Sequence, residues 1–327
     1  MHRFTRAALA QQVREVLGAG EYRAGVHFPS GAQFQLKHGD QEAVIAEVGA
    51  SLRVYRVGGR DVVLPYSESA LAPAFAGMVL APWPNRLANG LYEYDDEVYQ
   101  LAVSEPGRQT ALHGLVTHVR FATTGVSDDG TSIHLEHLIV PTAGYPWPVR
   151  VEVTYALTET GLRSTITATN EGTTTAPYGT GVHPWLATGG AAVDDCTLRV
   201  DANRHVTVDN RLLPTGTEPV TNGWDLREPH ALAGRAYDDA WVDLVRDGEG
   251  LSWLLLGWPD GRTVAMWADG TAKAWQVCTG DDVASIKRAA VAAEPMTCVA
   301  DAFRTGDDLV HLAPGASHSL TWGLTLR

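Results

Sequence analysis

The stretch VRVEVTYALTETGLRSTITA, residues 149–168, alternates apolar and polar side chains in two runs separated by Glu159-Thr160-Gly161. A period of two residues places alternate side chains on opposite faces of a β-strand. The polar, glycine-containing segment between the runs is typical of a hairpin turn. The stretch therefore predicts an antiparallel hairpin with one buried face. The residues on that face are Val149, Val151, Val153, Tyr155 and Leu157, followed by Leu162, Ser164, Ile166 and Ala168.

The same alternation occurs at both ends of the chain. It begins at Phe34 and Leu36 and closes with Leu320, Trp322 and Leu324. Glycine-containing turn signals separate short apolar runs about every 8–12 residues, a pattern typical of sandwiches and barrels. We expect an all-β fold with two large antiparallel sheets packed face to face, and a single domain over residues 1–327.

One segment, residues 4–18, has helical rather than strand periodicity, and Gly18 and Gly20 follow its end. We expect residues 1–24 to form a helical arm on the β domain. The segment contains no long apolar run, so we predict neither a secretory signal nor a membrane span, and we expect a cytoplasmic location.

The charge balance narrows the choice of partners. The chain has 25 Lys and Arg residues against 38 Asp and Glu residues, a formal net charge of −13. Such a surface disfavours nucleic acid and anionic membranes as partners. Cys196, Cys278 and Cys298 form no Cys-x-x-Cys pair, so neither structural zinc nor a disulfide framework is indicated.

The first segment suited to chemistry lies in residues 78–101. Pro82 and Pro84 bracket Trp83, which predicts a rigid loop, and Asn85-Arg86 follows directly. An arginine on a rigid loop presents a fixed set of donors to hydroxyl or carboxylate oxygens. The alternative, that Arg86 pairs with a carboxylate at the edge of the core, stays open.

Two histidines lie in apolar settings beside Gly or Pro, in Thr110-Ala-Leu-His-Gly114 and in Gly179-Thr-Gly-Val-His-Pro-Trp185. Histidine titrates near neutrality, so His113 and His183 are candidate acids or bases, although each can also be a structural residue. No two-histidine spacing predicts a metal site, because odd separations such as that of His134 and His137 place side chains on opposite strand faces.

Two carboxylate positions complete the candidates. In Val291-Ala-Ala-Glu-Pro-Met-Thr297, proline should end the strand, which predicts that Glu294 sits at a strand end where it can act as a base. Asp238 and Asp239 come directly before an aromatic strand, where paired aspartates mark either a site or a solvated turn.

Taken in order, these motifs resemble the aldose 1-epimerase (galactose mutarotase) family, over roughly residues 30–327. The order is Pro-Trp-x-Asn-Arg-Leu, Leu-His-Gly, Gly-x-His-Pro-Trp, Asp before an aromatic residue, and Glu-Pro. Galactose mutarotases have Ser-Tyr after the second histidine, where this chain has Pro184-Trp185. The chain therefore resembles a bacterial side branch of the family.

The resemblance implies a galactose mutarotase-like β-sandwich and an isomerase that interconverts the α and β anomers of a hexose. It implies Glu294 as general base, His183 as general acid, and His113 as a second donor near the ring oxygen. Arg86 and Asp238, or Asp239 in its place, would hold sugar hydroxyls. Asn85, Trp185 and Tyr178 are expected to line the sugar. No cofactor and no metal are implied, and we expect a monomer or homodimer.

Two alternatives stay open. A mutarotase for a charged hexose, such as a 6-phosphate or 6-sulfonate, needs a cluster of cations, for which Arg120, Arg204 and Lys273 are candidates beside Arg86. A sugar-binding protein without activity would not need His113, His183 and Glu294 together. For catalysis we expect Glu294 ionised and His183 protonated at the same pH, each stabilising the other, and a bell-shaped dependence of rate on pH.

Overall fold

A computed structural model describes residues 28–327 of the chain. This part consists of 27 β-strands, the four-residue helix α1 (Ala302–Thr305), and 3-10 turns at Pro73–Phe75, Val193–Asp195 and Asn222–Trp224. The all-β prediction is therefore confirmed. The helix predicted over residues 4–18 lies outside the described residues, so the organisation of residues 1–327 as one domain stays a prediction.

The strands are numbered in chain order. Their bounds are β1 Gln33–His38, β2 Gln41–Ala46, β3 Ser51–Val57, β4 Arg60–Asp61, β5 Val79–Leu80, β6 Arg86–Ala88, β7 Leu91–Tyr94, β8 Glu97–Gln100, β9 Thr110–Leu112, β10 Ala122–Val126, β11 Ser132–Ile139, β12 Val149–Thr158, β13 Gly161–Asn170, β14 Ala176–Tyr178, β15 Gly181–Val182, β16 Trp185–Ala187, β17 Thr197–Val200, β18 Ala202–Val208, β19 Pro214–Pro219, β20 His230–Ala231, β21 Asp238–Leu244, β22 Ser252–Gly257, β23 Thr263–Ala268, β24 Ala274–Cys278, β25 Ala290–Met296, β26 Val310–Leu312 and β27 Ser317–Leu326.

A nine-stranded antiparallel sheet contains the predicted hairpin at its centre. Its order is β10-β11-β12-β13-β27-β23-β22-β17-β20. The ladder between β12 and β13 pairs Val149 with Asn170 and Thr158 with Gly161, so the apolar residues of both strands share one face. The whole apolar set, from Val149 to Leu157, is buried. Burial of each such side chain contributes about 1.5–3 kcal/mol, which is why the alternation specifies the register.

A second sheet of eight strands packs against the first. Its order is β19-β18-β21-β24-β25-β15-β5, and β16 pairs with β25. Its inner face carries Trp241, Trp275 and Val277, which lie in the same core cluster as Val151 and Val153 of the nine-stranded sheet. The indole Nε1 of Trp275 donates to Ser252 Oγ of β22 at 3.0 Å. The outer face of this second sheet is left for the site.

The strand β25 corrects one prediction. Proline was expected to end this strand, but Pro295 lies inside β25 opposite Trp275, with Glu294 opposite Gln276. Ala293 N donates to Pro184 O and Thr297 N donates to Thr180 O, so the donor that Pro295 lacks faces the same side, between those two bonds. The neighbouring chain is interrupted there, between β15 and β16. A proline is tolerated in a strand where the ladder is already broken.

Two small strand pairs, β6–β9 and β7–β8, lie outside the large sheets. The β6–β9 ladder pairs Arg86 with Leu112. Asn85 lies directly before β6, and His113 lies directly after β9. The hairpin β7–β8 turns at Asp95-Asp96, and both residues have positive φ. Among residues 28–327, no helix has the length and apolar character that crossing a bilayer requires.

Candidate active site

The floor of the candidate site is a row of polar side chains across three neighbouring strands. Gln276 of β24 lies opposite Glu294 of β25 and opposite Ala240 of β21. Asp238 is two residues before Ala240, so it shares the face of Gln276 and Glu294. Gln276 Nε2 donates to Asp238 Oδ1 at 2.8 Å. The strand order thus aligns two carboxylates and an amide on the outer face.

Asn85 and His113 hold each other in place at one wall of the site. Both have left-handed backbone conformations, with φ of 55° and 61°. His113 N donates to Asn85 O at 2.9 Å, and Asn85 N donates to His113 Nδ1 at 3.2 Å. Because Nδ1 accepts a hydrogen bond, the neutral imidazole carries its proton on Nε2. His113 is therefore a donor through Nε2.

His183 leaves the sheet at the gap between β15 and β16 and contacts Glu294. Its Nε2 lies 3.3 Å from Glu294 Oε1, and both side chains are buried. The rings of His113 and His183 are 5.2 Å apart. A ring nitrogen of His113, a ring nitrogen of His183 and a carboxylate oxygen of Glu294 all lie within 4.8 Å of one another. The structure therefore brings the three catalytic candidates into one cluster.

Phe75 packs on this cluster. Its ring centroid is 4.7 Å from that of His113 and 6.2 Å from that of His183. Phe75 and Ala74 both have positive φ, a strained conformation for residues other than glycine. The loop is tied down by Trp185 Nε1, which donates to Ala74 O at 3.0 Å, and by Gly77 N, which donates to His183 O. The strained turn keeps an apolar ring against both imidazoles.

Burial dominates the proton equilibria of the cluster. It raises the pKa of Glu294 well above its usual value, and the nearby Asp238 carboxylate adds to the effect. Burial lowers the pKa of His183 to about 4 and that of His113 well below its ordinary range. Burial thus opposes the expected state, in which an ionised Glu294 lies beside a protonated His183. Removal from water disfavours both charges.

Arg86 borders the cluster from β6. Glu105 accepts from its Nε at 2.9 Å and from its Nη2 at 3.2 Å. The same Nη2 lies 3.6 Å from Asp238 Oδ2. The pairing of Arg86 with a carboxylate, which the sequence left open, is therefore observed with Glu105. Contact of Arg86 with sugar hydroxyls stays a prediction.

The cluster of His113, His183 and Glu294 also has the residue types of a metal site, although no sequence spacing indicated one. A metal-bound histidine usually donates its second ring N–H to an acceptor. Here His113 Nδ1 faces a donor, the N–H of Asn85, and His183 Nδ1 is buried without a partner among residues 28–327. The donor set fits proton transfer better than metal binding.

The aspartate doublet is divided between two environments. Asp238 faces Arg86 and Gln276, and burial raises its pKa. Asp239 Oδ1 lies 3.1 Å from His205 Nε2, and its Oδ2 accepts from Asp238 N at 3.1 Å. Its neighbour His205 stacks on Trp224, away from the cluster.

Two predicted sugar-lining aromatic residues are deeply buried. Trp185 is 2% exposed and packs beside His183 at 5.6 Å between ring centroids. Tyr178 has no exposed surface and lies in the main core cluster, next to His318. Asn85, by contrast, lines a small pocket with Arg86 and Asp238. For Trp185 and Tyr178, the prediction of sugar contact stays without support from the geometry.

Three residues at the site were missed by the sequence reasoning, namely Phe75, Glu105 and Gln276. Gln276 had a signal, because it is the one polar residue in the run Ala274–Cys278, which is otherwise apolar or Cys. Glu105 and Phe75 lie in loops without a motif, and only the packing of those loops brings them near Arg86 and the imidazoles.

Comparisons with known proteins agree with this architecture. The family model described as aldose 1-epimerase matches residues 32–325. The "Uncharacterized protein YihR" of Escherichia coli is 32% identical over 306 residues, covering 90% of this chain and 93% of that protein. Human galactose mutarotase is 26% identical over 234 residues, covering 64% of this chain and 66% of that protein.

Solved structures show the same fold. The GalM/aldose epimerase homologue from C. elegans superimposes with a TM-score of 0.80 at 18% identity, covering 90% of this chain and 98% of that chain. A putative aldose 1-epimerase from Escherichia coli gives a TM-score of 0.78 at 20% identity, covering 90% and 99%. The predicted sandwich of the galactose mutarotase type is thereby confirmed.

Proposed function

This chain belongs to the aldose 1-epimerase family, and from that premise we propose that it interconverts the α and β anomers of a hexose. The observation that carries the proposal is the convergence of Glu294, His183 and His113 in one buried cluster, with ligand atoms within 4.8 Å. Opening a sugar ring requires one group to take a proton and another to give one, and this cluster contains both kinds.

The reaction needs no net change in the enzyme. Glu294 takes the proton of the hydroxyl on carbon 1 while His183 protonates the ring oxygen, and the bond between carbon 1 and that oxygen breaks. After rotation about the bond between carbons 1 and 2, the aldehyde closes on its other face and both protons return. His113 donates its Nε2–H toward the ring oxygen, which its tautomer in this structure allows.

The pair of Glu294 and His183 holds one proton in either form, as neutral acid and neutral imidazole or as carboxylate and imidazolium. Burial favours the neutral form, because it penalises both charges. A bound sugar hydroxyl would donate to the carboxylate, and the positive charge of Arg86 acts on Glu294 in the same direction. We propose that the sugar itself draws the pair into its ionised form.

Arg86, Asp238 and Gln276 are proposed to hold the remaining hydroxyls. Arg86 and Gln276 present donors, and Asp238 is an acceptor on the same face. A neutral hexose is the better supported substrate, because two of the cationic residues considered as ligands for a charged sugar make other contacts. Arg120 pairs with Glu47, and Arg204 donates to Thr217. A cytoplasmic location and a monomer or homodimer remain part of the proposal.

The test is polarimetry on freshly dissolved α-glucose and α-galactose, with wild type compared with Glu294→Gln. The amide keeps the shape of the side chain and removes the base, so we expect the catalysed rate to fall about 10²–10⁴-fold. Glu97→Gln, at an exposed position of β8, is the matched control and should retain the wild-type rate.

Two results would contradict the proposal. If Glu294→Gln keeps a rate within about threefold of wild type, Glu294 is not the base, since a positioned base contributes far more than that. If wild type accelerates neither sugar, charged hexoses are tested next. No acceleration of those would favour a sugar-binding protein without activity.

A further inference from the structure

Glu105 is a half-buried carboxylate that contacts Arg86 at the edge of the site without facing the catalytic cluster. Its Oε2 accepts from Arg86 Nε at 2.9 Å and from Thr110 Oγ1 at 2.6 Å. Its Oε1 accepts from Arg86 Nη2 and from Arg108 Nη1, each at 3.2 Å. Burial raises the pKa of Glu105, but the hydrogen bonds from Arg86 and Thr110 outweigh this effect and hold the pKa below its usual range. Glu105 is therefore charged at neutral pH.

The backbone around Glu105 is also held. Glu105 N donates to Thr110 O at 3.0 Å, and Thr110 N donates to Glu105 O at 3.2 Å. Thr110 opens β9, which pairs with β6 through Arg86 opposite Leu112. Glu105 and Arg86 thus belong to one connected piece of backbone. The backbone hydrogen bonds therefore fix the position of the Glu105 carboxylate relative to Arg86.

The contact with Glu105 determines which donors of Arg86 remain available to bind a ligand. A guanidinium is planar and presents its donors in fixed directions. Glu105 occupies the edge formed by Nε and Nη2. The remaining donors are Nη1, which faces Asn85 Oδ1 at 3.5 Å, and the second N–H of Nη2, whose nitrogen lies 3.6 Å from Asp238 Oδ2. Both separations are too long for strong hydrogen bonds. These donors can therefore bind a ligand oxygen.

The negative charge of Glu105 also affects how Arg86 interacts with the other carboxylates. Arg86 lies near Asp238 and Glu294, and its positive charge acts on both carboxyls. Without Glu105, Asp238 would be the nearest carboxylate to Arg86, and the pair would close into a direct ion pair. That contact would occupy the two groups proposed to bind the sugar. Glu105 offers Arg86 a stronger partner on the side away from the sugar.

We propose that Glu105 is a positioning residue for the sugar site, which fixes Arg86 by one edge so that its opposite edge and Asp238 stay free for substrate hydroxyls. This inference rests on the proposed mutarotase function. It assigns Glu105 to substrate binding through Arg86, and it gives Glu105 no part in proton transfer.

The experiment compares the kinetics of Glu105→Gln and Glu105→Asp with wild type, using the hexose that wild type converts best. The amide cannot accept from both nitrogens of Arg86, so we expect KM to rise about tenfold or more, the cost of one charge-assisted hydrogen bond. The value of kcat should change less than about threefold, as expected for lost binding shared by substrate and transition state. Asp keeps the charge but is shorter, so its KM should be intermediate.

Arg108→Gln is the matched control. It removes the other cation from the same carboxylate without touching Arg86, and KM should stay within about twofold of wild type. Unfolding by urea is measured for every variant, because a purely structural role would lower stability and leave the ratio of KM to kcat unchanged.

The outcomes separate two failures. An active wild type with an unchanged KM in both Glu105 variants overturns this inference and leaves the proposed function standing. A loss of kcat without a change in KM also overturns it. If wild type converts no hexose, the proposed function fails, and the role of Glu105 in substrate binding fails with it.

Discussion

At the scale of single residues, burial and hydrogen-bond direction decide what each group can do. The Asn85 N–H aimed at His113 Nδ1 selects one tautomer, and burial keeps that ring neutral. His183 Nδ1 has no partner in the described part of the chain, whereas its Nε2 lies beside Glu294, so proton exchange is expected through Nε2. The two histidines therefore differ in function: His113 is suited to donate a hydrogen bond, and His183 is suited to exchange a proton with Glu294.

The aspartate doublet provides a residue-scale prediction. Asp238→Asn should raise KM about tenfold, because the charge-assisted bonds that Asp238 is proposed to make with sugar hydroxyls weaken. Its stability should change little, since 36% of the side chain is exposed. Steady-state polarimetry over a range of sugar concentrations measures the effect.

Asp239→Asn is the comparison variant at the neighbouring position. Asp239 holds His205 and the backbone N–H of Asp238, so its loss should lower the free energy of unfolding by about 1–3 kcal/mol and change KM less than Asp238→Asn does. The reverse result, with KM rising in Asp239→Asn alone, would identify Asp239 as the sugar ligand.

At the scale of elements, short turns between strands fix the site more than the strands do. His113 follows β9 with positive φ, and Gly114 follows it at φ 78°. A Cβ on Gly114 would lie 2.1 Å from Ala81 O and 2.4 Å from Ala81 C, both backbone atoms. The turn that aims His113 therefore requires glycine for two independent reasons, its conformation and the close approach of the chain.

We predict that Gly114→Ala lowers the free energy of unfolding by more than about 2 kcal/mol, because backbone strain and a backbone clash add. Activity should fall by about 10²-fold as His113 is displaced, since misplacement of about 1 Å has such an effect. Urea unfolding and polarimetry measure the two quantities.

Gly107→Ala is the control for that substitution. No atom lies within 4 Å of a Cβ at this position, and its φ is not positive. Stability should stay within about 1 kcal/mol and activity should be unchanged. Equal effects of the two substitutions would show that the turn after β9 has no special role.

At the scale of the whole molecule, the buried ionisable groups link stability to pH. The folded pKa of His113 is lowered, so below about pH 6.5 the unfolded chain binds a proton that the native site refuses. This contribution to stability is present at neutral pH and is lost as pH falls. For His183 and Glu294 the pKa shifts have opposite signs, so their contributions to stability change with pH in opposite directions.

Wild type should therefore lose stability faster than His113→Gln between pH 7.5 and 5.5, by up to about 1.4 kcal/mol per pH unit below 6.5. Urea unfolding at several pH values tests this in both proteins, and the histidines outside the cluster contribute equally to each. Parallel curves for the two proteins would mean that His113 is not held neutral in the native state.

From the sequence alone we could predict the strand pattern, the hairpin of residues 149–168 and the family. These depend on periodicity, turn chemistry and motif order, which are local or sequential properties. It also named Glu294, His183, His113, Arg86 and Asp238 individually, because their residue types and settings are visible along the chain.

Only the tertiary structure decided how those residues meet and in which protonation state. Their proximity depends on the order β21-β24-β25-β15 and on loops that pack over its outer face, and neither is encoded at any one position. Pro295 continues a strand because the neighbouring chain is broken beside it. Glu294 and His183 tend toward neutrality because residues from across the chain exclude water from both, and burial of that kind is a property of the assembled fold.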